Sequence, residues 1–165
     1  MGHDEMIDGL LVKTREQMNE KRFQHTLAVR ETALELAQRF QVDPVQAEVA
    51  AILHDYCKYW PRERMEAVIR QSERTPQTLL TEPVALWHAH VAAEVLPQEC
   101  NIDDEAVLMA IRYHTTGRLG MTPLEQVIFL ADYIEPHRDF TGVEKVRQLA
   151  QFSLEKAVFA TLKQT

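Results

Sequence analysis

Apolar residues recur along the chain at three- and four-residue spacings, and strict alternation never persists long enough to predict a strand. Ile7, Leu10, Leu11 and Met18 fall on or near one stripe and predict a first helix over Glu5–Glu20. Phe23, Leu27, Leu34 and Leu36 supply the apolar surface of a second, Glu20–Phe40. Asp43 before Pro44 pairs an N-cap with a first-position proline and opens a third helix reaching Cys57. A short helix over Pro61–Arg70 follows, then a polar connection, Ser72–Pro83, with room for one irregular turn. The next helix, Pro83–Leu96, is expected to end at Pro97; another, capped by Asp103, runs to Tyr113. After the loop "HTTGRLGMTP", Thr122 and Pro123 repeat the cap-and-proline pair and open a helix through Ile134. A last helix covers Gly142–Leu162. With no internal repeat, low-complexity tract or linker, the pattern predicts a single all-α domain over residues 1–165.

Composition narrows the class. The chain has 165 residues, 45% hydrophobic and 26% charged, which fits one well-buried core rather than disorder. Its longest apolar runs, such as Val49–Leu53 and Val127–Ala131, fall far short of the roughly 18–20 residues that cross a bilayer. The N-terminal "MGHDEMIDG" carries acidic residues where a secretory signal would be basic, so a cytoplasmic protein without a membrane partner is expected. A net charge of -7 disfavours nucleic acid, which needs clustered lysine and arginine. It does not exclude a small anionic substrate met by a few local cations or a metal. Cys57 and Cys100 form no CxxC pair and read as two reduced thiols.

The stretch "AAILHDYCKYW" breaks the apolar logic by placing His54 and Asp55 where alanine or leucine would pack. Five of seven histidines have comparable contexts: His25, His54, His88, His90 and His114. Asp132 in "VIFLADYIEP" is a carboxylate in a strongly apolar helix. Taken singly, each histidine reads as a hydrogen-bonded core residue, and the aspartate as a cap. Together, with an adjacent His–Asp pair, they suit a metal: imidazole nitrogen and carboxylate oxygen are normal ligands of Zn, Fe, Mn or Co. No Ser–His–Asp order, nucleophile elbow or Walker A pattern competes.

The order His25, His54–Asp55, Asp132 resembles the histidine–aspartate metal-dependent phosphohydrolase superfamily, whose fold is all-helical. The longer stretches "RFQHTLAV", "AILHDYCKYWP", "IRYHTTGRLGM" and "FLADYIEPHRDF" are similar to its bacterial YqeK-type family of symmetrical diadenosine-tetraphosphate hydrolases. The resemblance implies that His25, His54, Asp55 and Asp132 hold one ion, and that Asp55 bridges to a second held by His88 and His114. His88 is preferred to His90 because the family has a single histidine there; Ala92 also departs from the family's usual glycine. It implies two divalent or mixed-valence transition-metal ions, iron foremost, with Mn, Co or Zn as alternatives. Lys58 and Arg118 join Asp55 as catalytic residues in this reading. The resemblance implies that Lys58, Arg118, His137 and Arg138 contact the phosphates of a dinucleoside polyphosphate. The implied reaction is symmetrical hydrolysis to two ADP by metal-activated water. Another nucleotide phosphohydrolase of the superfamily, or a non-catalytic nucleotide-binding module, stands as the alternative, and a homodimer is left open.

Overall fold

The computed structural model describes residues 2–165; Met1, counted in the expected 1–165 domain, lies outside them. The described residues form α1 (His3–Glu16), α2 (Glu20–Phe40), α3 (Pro44–Leu53), α4 (Arg62–Gln71), α5 (Trp87–Glu99), α6 (Glu105–Arg112), α7 (Pro123–Ile134), α8 (Val143–Leu149) and α9 (Leu154–Gln164). Two 3₁₀ turns, Gln77–Thr81 and Val84–Leu86, lead into α5. There is no strand among these residues, so the fold is all-α.

α3 lies at the centre. Every residue from Ala47 to Leu53 is buried, and the helix packs against α1, α2, α6 and α7. Glu48, paired with Arg30 at 2.6 Å, is the one charge in this otherwise apolar stretch, and a helix buried all round needs neighbours on all sides. α7 is likewise buried from Val127 to Ala131 and packs on α2, α6 and α9. Both run into the same region at their C-terminal ends, and the unusual polar residues sit there.

Local chemistry explains the helix ends. Asp43 accepts from the Val45 and Gln46 N–H groups, and Thr122 from Glu125 N–H, as the two cap-and-proline pairs predict. The expected first helix is shorter, because Asn19 accepts from Arg22 N–H and separates α1 from α2. α3 stops at Leu53 rather than Cys57. His54 donates Nδ1–H to the Ala51 carbonyl at 2.6 Å, the acceptor Asp55 N–H would use in a continued helix, and the chain proceeds in single turns. The cap of α6 is Asp104, not Asp103. Pro97 lies inside α5 instead of ending it; so near the C-terminus its missing N–H removes one bond, and Cys100 N–H still reaches the Leu96 carbonyl. The expected last helix divides in two, because Ser153 caps α9 through Lys156 N–H. Gly142, at φ 95°, turns the chain into α8. From α8, Arg147 donates to three main-chain carbonyls, those of Ile134 at 2.9 Å, Glu135 at 2.8 Å and Arg138 at 2.7 Å. This guanidinium holds the chain that leaves α7.

Candidate metal centre

Six side chains converge from five helices or their ends. His25 comes from α2, His88 from the first turn of α5, and Asp132 from the last turn of α7. His54 and Asp55 follow α3, and His114 follows α6. Asp55, buried, sits in the middle and divides its oxygens. Oδ2 lies 3.1 Å from His54 Nε2 and 3.7 Å from His25 Nε2, while Oδ1 lies 3.2 Å from His88 Nε2 and 3.6 Å from His114 Nε2. Asp132 Oδ1 closes the first group, 2.9 Å from His25 Nε2 and 3.6 Å from His54 Nε2.

The imidazoles are turned to present Nε2. His54 Nδ1 donates to the Ala51 carbonyl and His114 Nδ1 to the Ile111 carbonyl at 2.7 Å; a carbonyl only accepts, so each Nδ1 carries a proton. His25 Nδ1 is 2.6 Å from Glu135, a buried carboxylate. A ring whose Nδ1–H is bound in this way presents an Nε2 lone pair, the arrangement of metal-ligating histidines.

The cluster also lacks internal satisfaction. His25 Nε2, His54 Nε2 and Asp55 Oδ1 are buried and have no hydrogen bond. Such atoms are costly unless something else occupies their lone pairs. Burial opposes a charged His54, but Asp55 and Asp132 overcome it and push the group up to about 10. Burial likewise opposes a charged Asp55, yet His54, His114 and His88 hold its carboxyl well below the usual range. Burial keeps His88 below its ordinary value, in the neutral form that ligates. The two ionised carboxylates need positive charge beside them, which a proton on His54, or a divalent ion in its place, supplies. The donor groups His25–His54–Asp55 and Asp55–His88–His114 each lie close enough to hold one ion. They fit divalent metal.

The second histidine of α5 does not reach this centre. His90 accepts from the Arg112 guanidinium at 3.2 Å and packs edge-on against Tyr113. Burial, then Arg112, pulls it down to about 4. Arg112 itself is 3% exposed, held by Glu94 at 2.6 Å and Thr75 at 2.9 Å.

Lys58 and Arg138 line a cleft of about 630 Å³ that opens over Asp55, His88, His114 and Asp132. Arg138 also touches Asp132 Oδ1 at 3.3 Å. His137 is exposed, 3.1 Å from Glu135, on a neighbouring cleft on the α2 side. Arg118 is not brought to the metal cleft. Its guanidinium makes two 2.8 Å bonds to buried Glu125 and lies over the Tyr113 ring, closing the loop that follows His114. Two further residues belong to the site. Arg22 binds Asp55 Oδ2 through Nε at 2.9 Å and through a terminal nitrogen at 2.6 Å, and Glu135 orients His25. Each stands three residues from a candidate ligand, Arg22 before His25 within α2 and Glu135 after Asp132 at the cap of α7. For Arg22 that spacing puts the two on one helix face, and it was the signal available.

The fold and the donor set define a helical metallohydrolase centre, and the HD domain family model matches residues 22–137: the chain belongs to the HD-domain family. Its relatives place it more narrowly. It is 48% identical over 155 residues to the Bacillus subtilis (strain 168) protein named bis(5'-nucleosyl)-tetraphosphatase, symmetrical, covering 94% of this chain and 83% of that one. A protein of the same name from Halalkalibacterium halodurans is 47% identical over 148 residues, covering 90% of this chain and 79% of that one. The crystal structure of a predicted HD superfamily hydrolase involved in NAD metabolism from Clostridium acetobutylicum superposes with a TM-score of 0.84. It is 34% identical and covers 95% of this chain and 81% of that one.

Proposed function

We propose that the chain hydrolyses diadenosine tetraphosphate symmetrically, water adding to an inner phosphorus and the central P–O–P bridge breaking to leave two ADP. The observation that carries this reading is the division of Asp55, one oxygen toward His25 and His54, the other toward His88 and His114, at the floor of a cleft walled by cations. The names of the relatives supply the substrate.

In this reading His25, His54, Asp55 and Asp132 hold one ion and Asp55, His88 and His114 a second, iron before Mn, Co or Zn. When bound, such ions supply Lewis acidity and a water acidic enough to act near neutral pH. The protein's own groups do the rest. His25, His54 and His114 are ordered before substrate arrives, through 2.6–2.7 Å bonds from Nδ1 that fix each ring. Arg22, Lys58 and Arg138 face the phosphate chain, neutralising charge that spreads over the equatorial oxygens as the bridge breaks. Arg118 serves indirectly, by holding the loop after His114 to α7.

The reading takes the whole chain as one cytoplasmic domain with a small-molecule partner. The net charge of -7 argues against nucleic acid, and no helix among the described residues is long and apolar enough to cross a membrane. Incubation with mononucleotides, cyclic nucleotides and dinucleoside polyphosphates, with chromatographic resolution of products, tests it. ADP as the sole nucleotide product of diadenosine tetraphosphate is expected. ATP plus AMP would refute the symmetrical cut, and preferential turnover of a mononucleotide would place the chain with other phosphohydrolases. In ¹⁸O-labelled water, the label should enter ADP.

A further inference from the structure

The metal cleft is one of two that meet at the same pair of arginines. On the α2 side lies a second, of about 530 Å³, whose walls include Asn19, Gln24, Tyr59 and His137. Arg22 and Arg138 line both. These two are the cations bound to Asp55 and Asp132, so the boundary between the clefts runs past the metal ligands. Each volume falls in the range of about 300–1,000 Å³ typical of a pocket for one small ligand.

We propose that this second cleft binds the distal nucleoside of the substrate, with the Tyr59 ring as the surface on which its base stacks. The inference rests on the reading of the substrate given above. A dinucleotide cut at its centre has a nucleoside on each side of the breaking bond, and a site built on one pocket would leave one of them in water. The metal cleft carries an aromatic wall of its own, Phe129, Tyr133 and Phe140, with the last two rings 4.7 Å apart. The second cleft carries Tyr59. Its neighbours Tyr56 and Trp60 are packed in the core, whereas Tyr59 is 50% exposed and adds little to it. Lys58 and Tyr59 are consecutive and separate between the clefts, lysine to the metal side and tyrosine to the other.

The polar groups around Tyr59 suit a purine nucleoside. Asn19 spends its side-chain oxygen on the Arg22 N–H, which leaves its amide nitrogen as a donor. Gln24 donates its amide nitrogen to Glu20, which leaves its oxygen as an acceptor. A purine edge offers both partners, and an aromatic face takes any base. Lys21, with the two shared arginines, supplies positive charge for the phosphates on this side.

The test compares two compounds on wild type, Tyr59→Ala and Tyr59→Phe: diadenosine tetraphosphate as substrate, and adenosine 5'-tetraphosphate, which lacks one nucleoside, as competitor. Stacking on one aromatic ring corresponds to about a ten-fold change in affinity. Tyr59→Ala should raise KM for the dinucleotide about ten-fold, with kcat little changed. The Ki of adenosine tetraphosphate should move by no more than about two-fold, the loss of one of two binding orientations. Tyr59→Phe should behave as wild type, and Gln24→Ala should repeat the selective effect more weakly. Equal changes for both compounds, or no change in KM for a folded Tyr59→Ala, would overturn the second pocket while leaving symmetrical hydrolysis standing. A wild type that leaves diadenosine tetraphosphate intact would instead remove the reading beneath it, and the pocket assignment with it.

Discussion

The Glu135 carboxylate lies 2.6 Å from His25 Nδ1, and the ring so fixed turns its Nε2 to within 2.9 Å of Asp132. A carboxylate behind a histidine sets the tautomer and raises the basicity of the nitrogen that faces the metal; losing it commonly costs 10–100-fold in metal affinity. Glu135→Ala should therefore weaken metal retention by about that factor, read as metal content after dialysis against graded chelator. Unchanged retention would mean that Glu135 only fills space.

Metal stoichiometry follows from the two faces of Asp55. Protein purified without chelators should carry close to two transition-metal equivalents per chain by elemental analysis. Asp55→Ala removes an oxygen from each donor group and should empty both. His114→Ala should deplete mainly one, with activity partly restored by added metal. His88→Ala should cost far more metal than His90→Ala, since His90 is bound to Arg112 instead. A wild-type plateau at one equivalent would contradict the paired arrangement.

The cations divide into two kinds. Lys58→Ala and Arg138→Ala should keep their metal and lose turnover or substrate affinity, because both line the metal cleft. Arg118→Ala should show itself first in thermal melting. It strands Glu125, a carboxylate 1% exposed, with the Thr122 side chain as its remaining partner, at a cost of about 2–3 kcal/mol. A normal melting temperature with a raised KM would return Arg118 to the substrate.

Glu94 provides a pH-dependent test away from the metal. Burial alone would raise its carboxyl, but Arg112 more than offsets this and holds it below the ordinary 4.5. A carboxylate depressed in the folded protein binds fewer protons there than in the unfolded chain. Its contribution is thus present above about pH 4.5 and disappears as pH falls through the lower folded value. Glu94→Gln should destabilise by about 2–3 kcal/mol at neutral pH, since it leaves Arg112 buried with weakened pairing. Denaturant melts should show the gap from wild type closing below pH 4.5. A gap constant with pH would mean that the charge on Glu94 contributes nothing.

The helices were legible where local rules act, and the errors mark where they stop. Asp43–Pro44 and Thr122–Pro123 announce helix starts through their own backbone, and α2 and α7 fall where the pattern puts them. The end of α3 depends on what the His54 side chain does to the Ala51 carbonyl, which apolar periodicity does not encode. Ser153 is a cap signal overridden by the apolar pattern on either side of it. The central histidines and aspartates stood out because a charge in an apolar helix needs an explanation. Arg22 and Glu135 did not: their partners lie 33 and 110 residues away, and a surface-type residue one turn from a ligand looks ordinary. Arg118 stands outside the metal cleft for the opposite reason. Its partner Glu125 is only seven residues on, yet a guanidinium in a glycine loop invites a phosphate.

The Arg147 clamp on the chain leaving α7 recognises only main-chain oxygens, those of residues 134, 135 and 138. It is blind to the identity of the side chains it secures. Pro136 and His137 are exposed within that span, and substitutions there that spare the backbone leave Glu135 and Arg138 where they are. At His137, the rim of the second cleft can therefore be substituted without moving the metal-centre residues behind it.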